Sequence, residues 1–313
     1  MKIAVAGCRG SLPSSSGVRF NAVKVDYSEF GGNTSSYYIR SDSGKHIIVD
    51  AGSGIRNAGE YLMSNGFSPG QIEGGSAELY ITHTHWDHIQ GFPFFTPAYI
   101  KGNKIRVFGE AKVKTDLVAT MSRSPGVMQI NGSGIRDVLT EQQNSRNFPV
   151  PLTIMGGLED FFDFLPGANL PSRSGMTVET NGIQHPGGCV SYAFVEKGKR
   201  AVICSDFEPD GGNYDSRLKQ WWQNADLVIA DGQYEPIGAT RNKFMKGWGH
   251  STPFWNVDLA GEVGVKRLLV THHDPTSDDS YLRDFERRVK EYARDKKYNL
   301  EVGFVREGDW YEL

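Results

Sequence analysis

Three of the chain's eight histidines, together with an aspartate, fall within six positions, in the stretch "HTHWDH" at residues 83–88. A structural histidine needs one or two hydrogen-bond partners, and a crowd of them calls for another explanation. Neutral imidazole is a preferred zinc ligand, and a carboxylate adds charge to such a site. Side chains at 83 and 85 project to one side of an extended segment. Asp87 and His88 follow where the chain turns into a helix, which aims them at a second ion. Two ligand pairs on one loop suit a two-metal centre, whose ions lie roughly 3.5–4 Å apart. An exposed polar loop with chance histidines is the competing explanation, and this spacing disfavours it. The other histidines strengthen the case: His185 precedes Pro-Gly-Gly, His250 lies in "GWGHST", and His272 and His273 close "KRLLVTHHDP". Only His46, inside "GKHIIVD", stands apart from such loops.

The elements that would carry these residues share one habit. Short β-branched runs each end in a polar residue followed by a turn, at Asp50, His83, His185, Asp206, Asp231 and His272. Strand tips of this kind, followed by Gly- or Pro-bearing loops, are how α/β folds present chemistry. Helical spacing appears at 54–66, at 216–225 and most strongly at 278–298, with Asp278 or Asp279 as cap and a cationic last turn. The final segment, "NLEVGFVREGDWYEL", reads as a closing strand or hairpin. Residues 112–157 are rich in Pro, Gly, Ser and Asn and read as an insertion or lid within a single domain spanning 1–313. At 313 residues, with a net charge of −3, the chain is long enough for a sizeable core and shows no basic run suited to general nucleic-acid binding. Three cysteines without a CxxC pair fit a reduced, cytoplasmic setting. No apolar run is long enough for a spanning helix, so no membrane partner is expected.

As a set, these motifs resemble the metallo-β-lactamase superfamily. "THTHWDHIQG" is similar to its HxHxDH signature, and "VDAG" at Asp50, "HPGG" at His185, "SD" at Asp206 and "VTHHDP" at His272 follow in the family's order. The resemblance spans about Gly7 to Pro275 and implies an α/β fold, an αββα sandwich of two mixed β-sheets flanked by helices, with metals on one rim. By matching positions it implies that His83, His85 and His185 hold one metal, that Asp87, His88 and His272 hold the other, and that Asp206 bridges both. It implies two divalent ions, zinc first, with manganese or iron able to take the same donors. Asp50 is expected to orient ligands by hydrogen bonding. His272 follows its strand directly and is preferred over His273 as the ligand.

Asp231 and His250 are similar to the acidic residue and histidine of ribonuclease Z-like phosphodiesterases, where the histidine stabilises the scissile phosphate or protonates the leaving oxygen. The competing role for His250 is a cap or loop contact, since "HST" also resembles a helix start. "GCRGSLP" and "GGNTSSYYI" resemble the strand–turn opening of the same branch. "GCRGS" lacks the lysine and spacing of a P-loop. The Gly-rich and basic arm of transfer-RNA-processing members has no counterpart; the 112–157 segment offers only Lys112, Lys114, Arg123, Arg136 and Arg146. A small phosphodiester such as a cyclic nucleotide is therefore the expected substrate, with no stable nucleic-acid partner. Relatives of this kind are often dimers, so a homodimer is expected by resemblance. The implied chemistry is attack by a hydroxide bridging the two metals, Asp87 serving within the catalytic centre and His250, oriented by Asp231, assisting the leaving alkoxide. Trp86, Phe92, Phe94, Phe95 and Tyr99 either wall a base pocket or belong to the core. Competing functions are a lactonase, thioesterase or other acyl hydrolase on the same site, an RNA 3′-end endonuclease, and a nucleotide-binding protein without catalysis.

Overall fold

The computed structural model describes residues 1–18, 24–69, 75–111, 127–128, 134–210, 212, 214–235 and 245–313. In chain order its strands begin with β1 (Lys2–Gly7), β2 (Gly17–Val18), β3 (Lys24–Val25), β4 (Ser36–Arg40), β5 (His46–Val49) and β6 (Ser76–Tyr80). They continue with β7 (Lys104–Glu110), β8 (Val127–Met128), β9 (Leu158–Phe164), β10 (Asn169–Leu170), β11 (Thr177–Ile183) and β12 (Cys189–Glu196). The last are β13 (Lys199–Cys204), β14 (Leu227–Asp231), β15 (Arg267–Thr271), β16 (Glu301–Phe304) and β17 (Trp310–Glu312). The helices are α1 (Ile55–Ser64), α2 (Trp86–Ile89), α3 (Ile135–Gln142), α4 (Ser216–Trp222), α5 (Pro253–Glu262) and α6 (Asp279–Asp295).

Two large sheets result, ordered β17-β1-β4-β5-β6-β7-β9-β8 and β10-β11-β12-β13-β14-β15-β16, beside a small two-stranded antiparallel sheet of β2 and β3. Both are mixed. In the first, β5, β6, β7 and β9 run parallel, and in the second β13 to β16 do, with antiparallel strands completing each.

Side-chain alternation explains the layering. In β5, Ile47 and Val49 pack between the sheets, while Ile48 faces outward with Ile55, Ala58 and Leu62 of α1. In β14, Leu227 and Ile229 face inward, while Val228 and Ala230 join Trp222 of α4, Val257 of α5 and Val289 of α6. Strands buried on both faces need apolar residues at nearly every position, which is why these runs read as continuous β-branched stretches. The outcome is the expected αββα sandwich.

The helices expected at 54–66, 216–225 and 278–298 correspond to α1, α4 and α6, and the Asp278 carboxylate accepts the Tyr281 N–H at 3.0 Å as the cap of α6. The C-terminal segment is not a hairpin. β16 pairs with β15 in one sheet and β17 with β1 in the other, so the chain crosses between sheets at the turn before Asp309. Of the 112–157 segment, Lys112, Lys114 and Arg123 lie outside the described residues. Its later part folds onto the first sheet, where Ile135 and Leu139 of α3, Leu152 and Met155 join the outer core. Among the described residues, no helix is long and apolar enough to cross a membrane.

Candidate metal centre

The C-terminal ends of β5, β6, β11, β13, β14 and β15 meet at one rim. Thr82, just past β6, fastens the two sheets there. Its carbonyl accepts the Val190 N–H at 2.9 Å, and its hydroxyl lies 3.2 Å from that of Ser205. Asp50 and His272 both adopt left-handed backbone conformations, with φ of 62° and 60°. Such conformations are uncommon outside glycine, although Asn, Asp and His adopt them more readily than other residues, and they cluster at functional sites.

Among the described residues, three groups of possible metal donors form within this rim: Asp231, His250 and His272 make one, and the other two gather the expected ligands. His83, His85 and His185 converge in one of these two, and Asp87, His88, Asp206 and His272 in the other, with each group's donor atoms inside 4.8 Å of one another. Asp206 lies between them: its carboxylate is 3.8 Å from His83 Nε2 and 3.2 Å from the Nε2 atoms of both His88 and His272. All seven residues expected as ligands are therefore gathered in one place.

The donor set fits a cation on its own chemistry. His185 Nδ1 donates to the Gly249 carbonyl at 2.8 Å, His88 Nδ1 to Asp50 at 2.7 Å and His272 Nδ1 to Gln233 Oε1 at 2.9 Å. These partners hold each ring with its Nε2 lone pair facing inward. His185 Nε2 then meets His85 Nδ1 at 3.0 Å, and His88 Nε2 meets His272 Nε2 at 3.3 Å. His83 Nε2 and Asp206 Oδ1 are buried without a hydrogen-bond partner. Lone pairs aimed at one another and buried orphan acceptors are unfavourable unless a metal ion, or in its absence a proton, sits among them.

The electrostatics agree. Burial, reinforced by neighbouring imidazoles, holds His83 well below the ordinary histidine range, and burial also lowers His85 and His185, so this pocket is neutral and ready to donate. In the second pocket, burial opposes charge on His88, but Asp206, Asp87 and Asp50 outweigh it and hold the ring well above its ordinary value. Burial would likewise raise Asp206 and Asp87, yet the surrounding histidines hold both carboxylates below the usual range. In the metal-free protein a proton on His88 thus supplies part of the positive charge that a dication would bring. Metal uptake is expected to release it, so zinc affinity should fall as pH falls. Calorimetric titration in two buffers of different ionisation enthalpy checks this, and a binding heat that does not depend on the buffer would rule it out.

Asp50 is placed as expected for an orienting residue. It accepts the Thr82 N–H at 2.8 Å and the Thr82 hydroxyl at 2.9 Å as well as the His88 ring. Asp50→Ala would leave these buried donors unpaired. Zinc affinity is expected to fall about 10- to 100-fold, with about 1–3 kcal/mol lost in metal-free stability. Competition with a chromophoric chelator and urea melts measure the two effects.

Asp231 and His250 are also brought together, with Nδ1 3.0 Å from Oδ2, and the His250 ring stacks on His272 at a centroid distance of 4.8 Å. Asp231 also accepts the backbone N–H groups of Ser251, Phe207 and Gln233. With its lone pairs so engaged, it serves as an anchor for His250 rather than as a third-metal ligand. The helix start suggested by "HST" is real, but Thr252, not His250, is the N-cap of α5. His273 points away from the centre: its ring donates to the Val305 carbonyl at 3.0 Å, stacks on Phe304, and is pushed down to about 3 by burial and by Arg9. Of the aromatics near the motif, Phe92 and Phe95 are core, whereas Trp86 and Phe94 are exposed.

Several contributors were missed from sequence. Gln233 orients His272, the Ser11 N–H donates to Asp87 at 2.7 Å, and Glu208 accepts the N–H groups of Gly247 and Gly249. Gln233 alone carried a signal, as a polar residue two positions after Asp231 at the same strand end. At Gly249 the backbone φ is 92° and a Cβ would overlap the His185 ring, so only glycine can bring its carbonyl to that histidine.

The family model of the beta-lactamase superfamily domain matches residues 45–273. Ribonuclease Z of Lactococcus lactis subsp. cremoris strain SK11 is 23% identical over 256 residues, covering 67% of this chain and 74% of the relative. Among solved structures, the metallo-beta-lactamase fold protein YhfI from Bacillus subtilis superposes with a TM-score of 0.63 at 16% identity, covering 100% of this chain and 99% of that one. A diphosphatase from the PhnP family superposes with a TM-score of 0.61 at 15% identity, covering 100% and 97% respectively. At such identities the superpositions show a shared fold.

Proposed function

The chain belongs to the beta-lactamase superfamily and has the metallo-β-lactamase hydrolase fold, and from that premise we propose that it is a metal-dependent phosphodiesterase acting on a small phosphodiester such as a cyclic nucleotide. His83, His85 and His185 would hold one divalent ion and Asp87, His88 and His272 the other, with Asp206 reaching both. Such ions, zinc first and manganese or iron as alternatives, supply Lewis acidity toward phosphoryl oxygens and lower the pKa of water to about 7.

The observation that carries the phosphodiester reading is the Asp231–His250 pair beside that centre. Asp231 takes Nδ1 of His250, which leaves Nε2 as the atom that faces substrate. A departing alkoxide is a strong base and needs a proton, which an imidazolium at this place can deliver. The thiolate of a thioester leaves without that added acid, whereas a lactone, which also expels an alkoxide, is distinguished only by the substrate panel below. Two similar proteins, a ribonuclease and a diphosphatase, are named for cleavage at phosphorus, which further supports the reading. The metal-reconstituted protein should be tested on 2′,3′- and 3′,5′-cyclic nucleotides, linear RNA, lactones, thioesters and β-lactams. Turnover of a cyclic nucleotide is the expected result. Cleavage of lactones or thioesters with no phosphodiester turnover would overturn the proposal.

A further inference from the structure

Tryptophan is costly to leave in water, and single exposed apolar residues are common enough to need no explanation. Here two exposed indoles each adjoin, in sequence, a residue that contacts the same metal-pocket histidine, His185. Trp86 is 81% exposed and Trp248 is 63% exposed. The contacts are to the two ring nitrogens of that histidine. Trp86 follows His85, whose Nδ1 lies 3.0 Å from His185 Nε2; Trp248 precedes Gly249, whose carbonyl accepts from His185 Nδ1 at 2.8 Å. Both are on anchored backbone. Trp86 opens α2, which is tied down by the His88–Asp50 bond and by the Gly91 N–H donating to the Ala51 carbonyl. Trp248 is the apex of a turn between Gly247 and Gly249, whose N–H groups donate to the Glu208 carboxylate at 2.8–2.9 Å. Leu12, 61% exposed, follows Ser11, which bonds Asp87 on the far side of the centre.

We propose that Trp86 and Trp248 form a stacking platform for a planar aromatic group on the substrate, of the nucleobase class, and so set substrate choice at this centre. Rigid aromatic rings on fixed backbone lose little entropy on binding, and every base offers a face to stack on. Stacking also tolerates any base, so the platform selects for the presence of a base over its identity.

This inference rests on the phosphodiesterase reading for its kinetic test, and a second readout separates the two. The probes are adenosine 2′,3′-cyclic phosphate and 1-O-methylribose 2′,3′-cyclic phosphate, which share the reacting bond and differ only in the base. The wild type should prefer the base-bearing probe. The ratio of kcat/KM between the two should fall roughly tenfold with each of Trp86→Ala and Trp248→Ala, and Trp→Tyr variants should restore much of it. Independently, adenosine without phosphate should quench tryptophan fluorescence saturably in the wild type and not in the double Ala variant. Saturable quenching without any phosphodiester turnover would retain the platform and remove the phosphodiesterase reading. Equal use of both probes by the wild type, or a preference that survives the double substitution, would overturn the platform. So would a double variant whose only change is a lower mass in sedimentation, since the indoles would then join two copies of the chain.

Discussion

Asp206→Ala is expected to lower hydrolysis by about a thousandfold or more and to reduce bound metal below two equivalents. Among the described residues, Asp206 is the only carboxylate within 4 Å of His83, His88 and His272 together, at 3.8, 3.2 and 3.2 Å. Its removal leaves one pocket of three neutral imidazoles and another in which Asp87 is the one remaining carboxylate among the inferred ligands. Repulsion between two dications then lacks the anion placed between them. The same substitution also strips a buried partner from His88, and breaking such a pair typically costs about 3–5 kcal/mol, so loss of activity could follow from misfolding. Asp206→Asn separates the causes because it keeps the shape and removes the charge. It should fold, bind less metal and remain inactive. Elemental analysis beside steady-state kinetics is the measurement. A variant that keeps two equivalents of metal and activity within tenfold of wild type would remove Asp206 from the centre.

Much of this centre could be read from the sequence because its ligands are supplied by strand tips. A β-branched run ending in one polar residue marks both a strand and the place where its side chain leaves the sheet, and so Asp50, His83, Asp206, Asp231 and His272 could be singled out before any geometry was known. Their convergence could not be derived from spacing alone. It depends on β13, β14 and β15 running parallel, so that their C-terminal ends share one rim, and the family resemblance supplied that order. What stayed hidden was carried by backbone. The Gly249 carbonyl on His185 and the Ser11 N–H on Asp87 have no side-chain signature. α3 was equally obscure, since its apolar positions Ile135 and Leu139 sit within a Gly- and Pro-rich stretch that reads as loop. The C-terminal segment reads as a closing strand or hairpin because a turn separates its two apolar runs, and sequence proximity gives no hint that each strand joins a different sheet.

His250→Gln is expected to lower kcat about 10²- to 10⁴-fold on a phosphodiester with an alkoxide leaving group, with little change in bound metal. His250 occupies none of the seven inferred ligand positions, and its ring contacts the centre by stacking on His272. On a p-nitrophenyl ester the same substitution should cost far less, because that leaving group departs without a proton. This contrast distinguishes an acid from a residue that merely shapes the pocket, which would affect both substrates alike. The pH profile provides a second check. Burial alone would depress His250, but Asp231 and then Asp206 override it and push the ring up to about 9 from an ordinary 6.5. Bound dications oppose that shift, so the alkaline limb for the alkoxide substrate is expected between 6.5 and about 9. An acid must be protonated to act, so activity should be retained below the limb and lost as pH rises through it. Asp231→Asn removes the anchoring charge and should move the limb toward 6.5. A limb that stays in place in Asp231→Asn, or a His250→Gln defect equal on both leaving groups, would exclude His250 as the proton donor and leave it a packing residue beside His272.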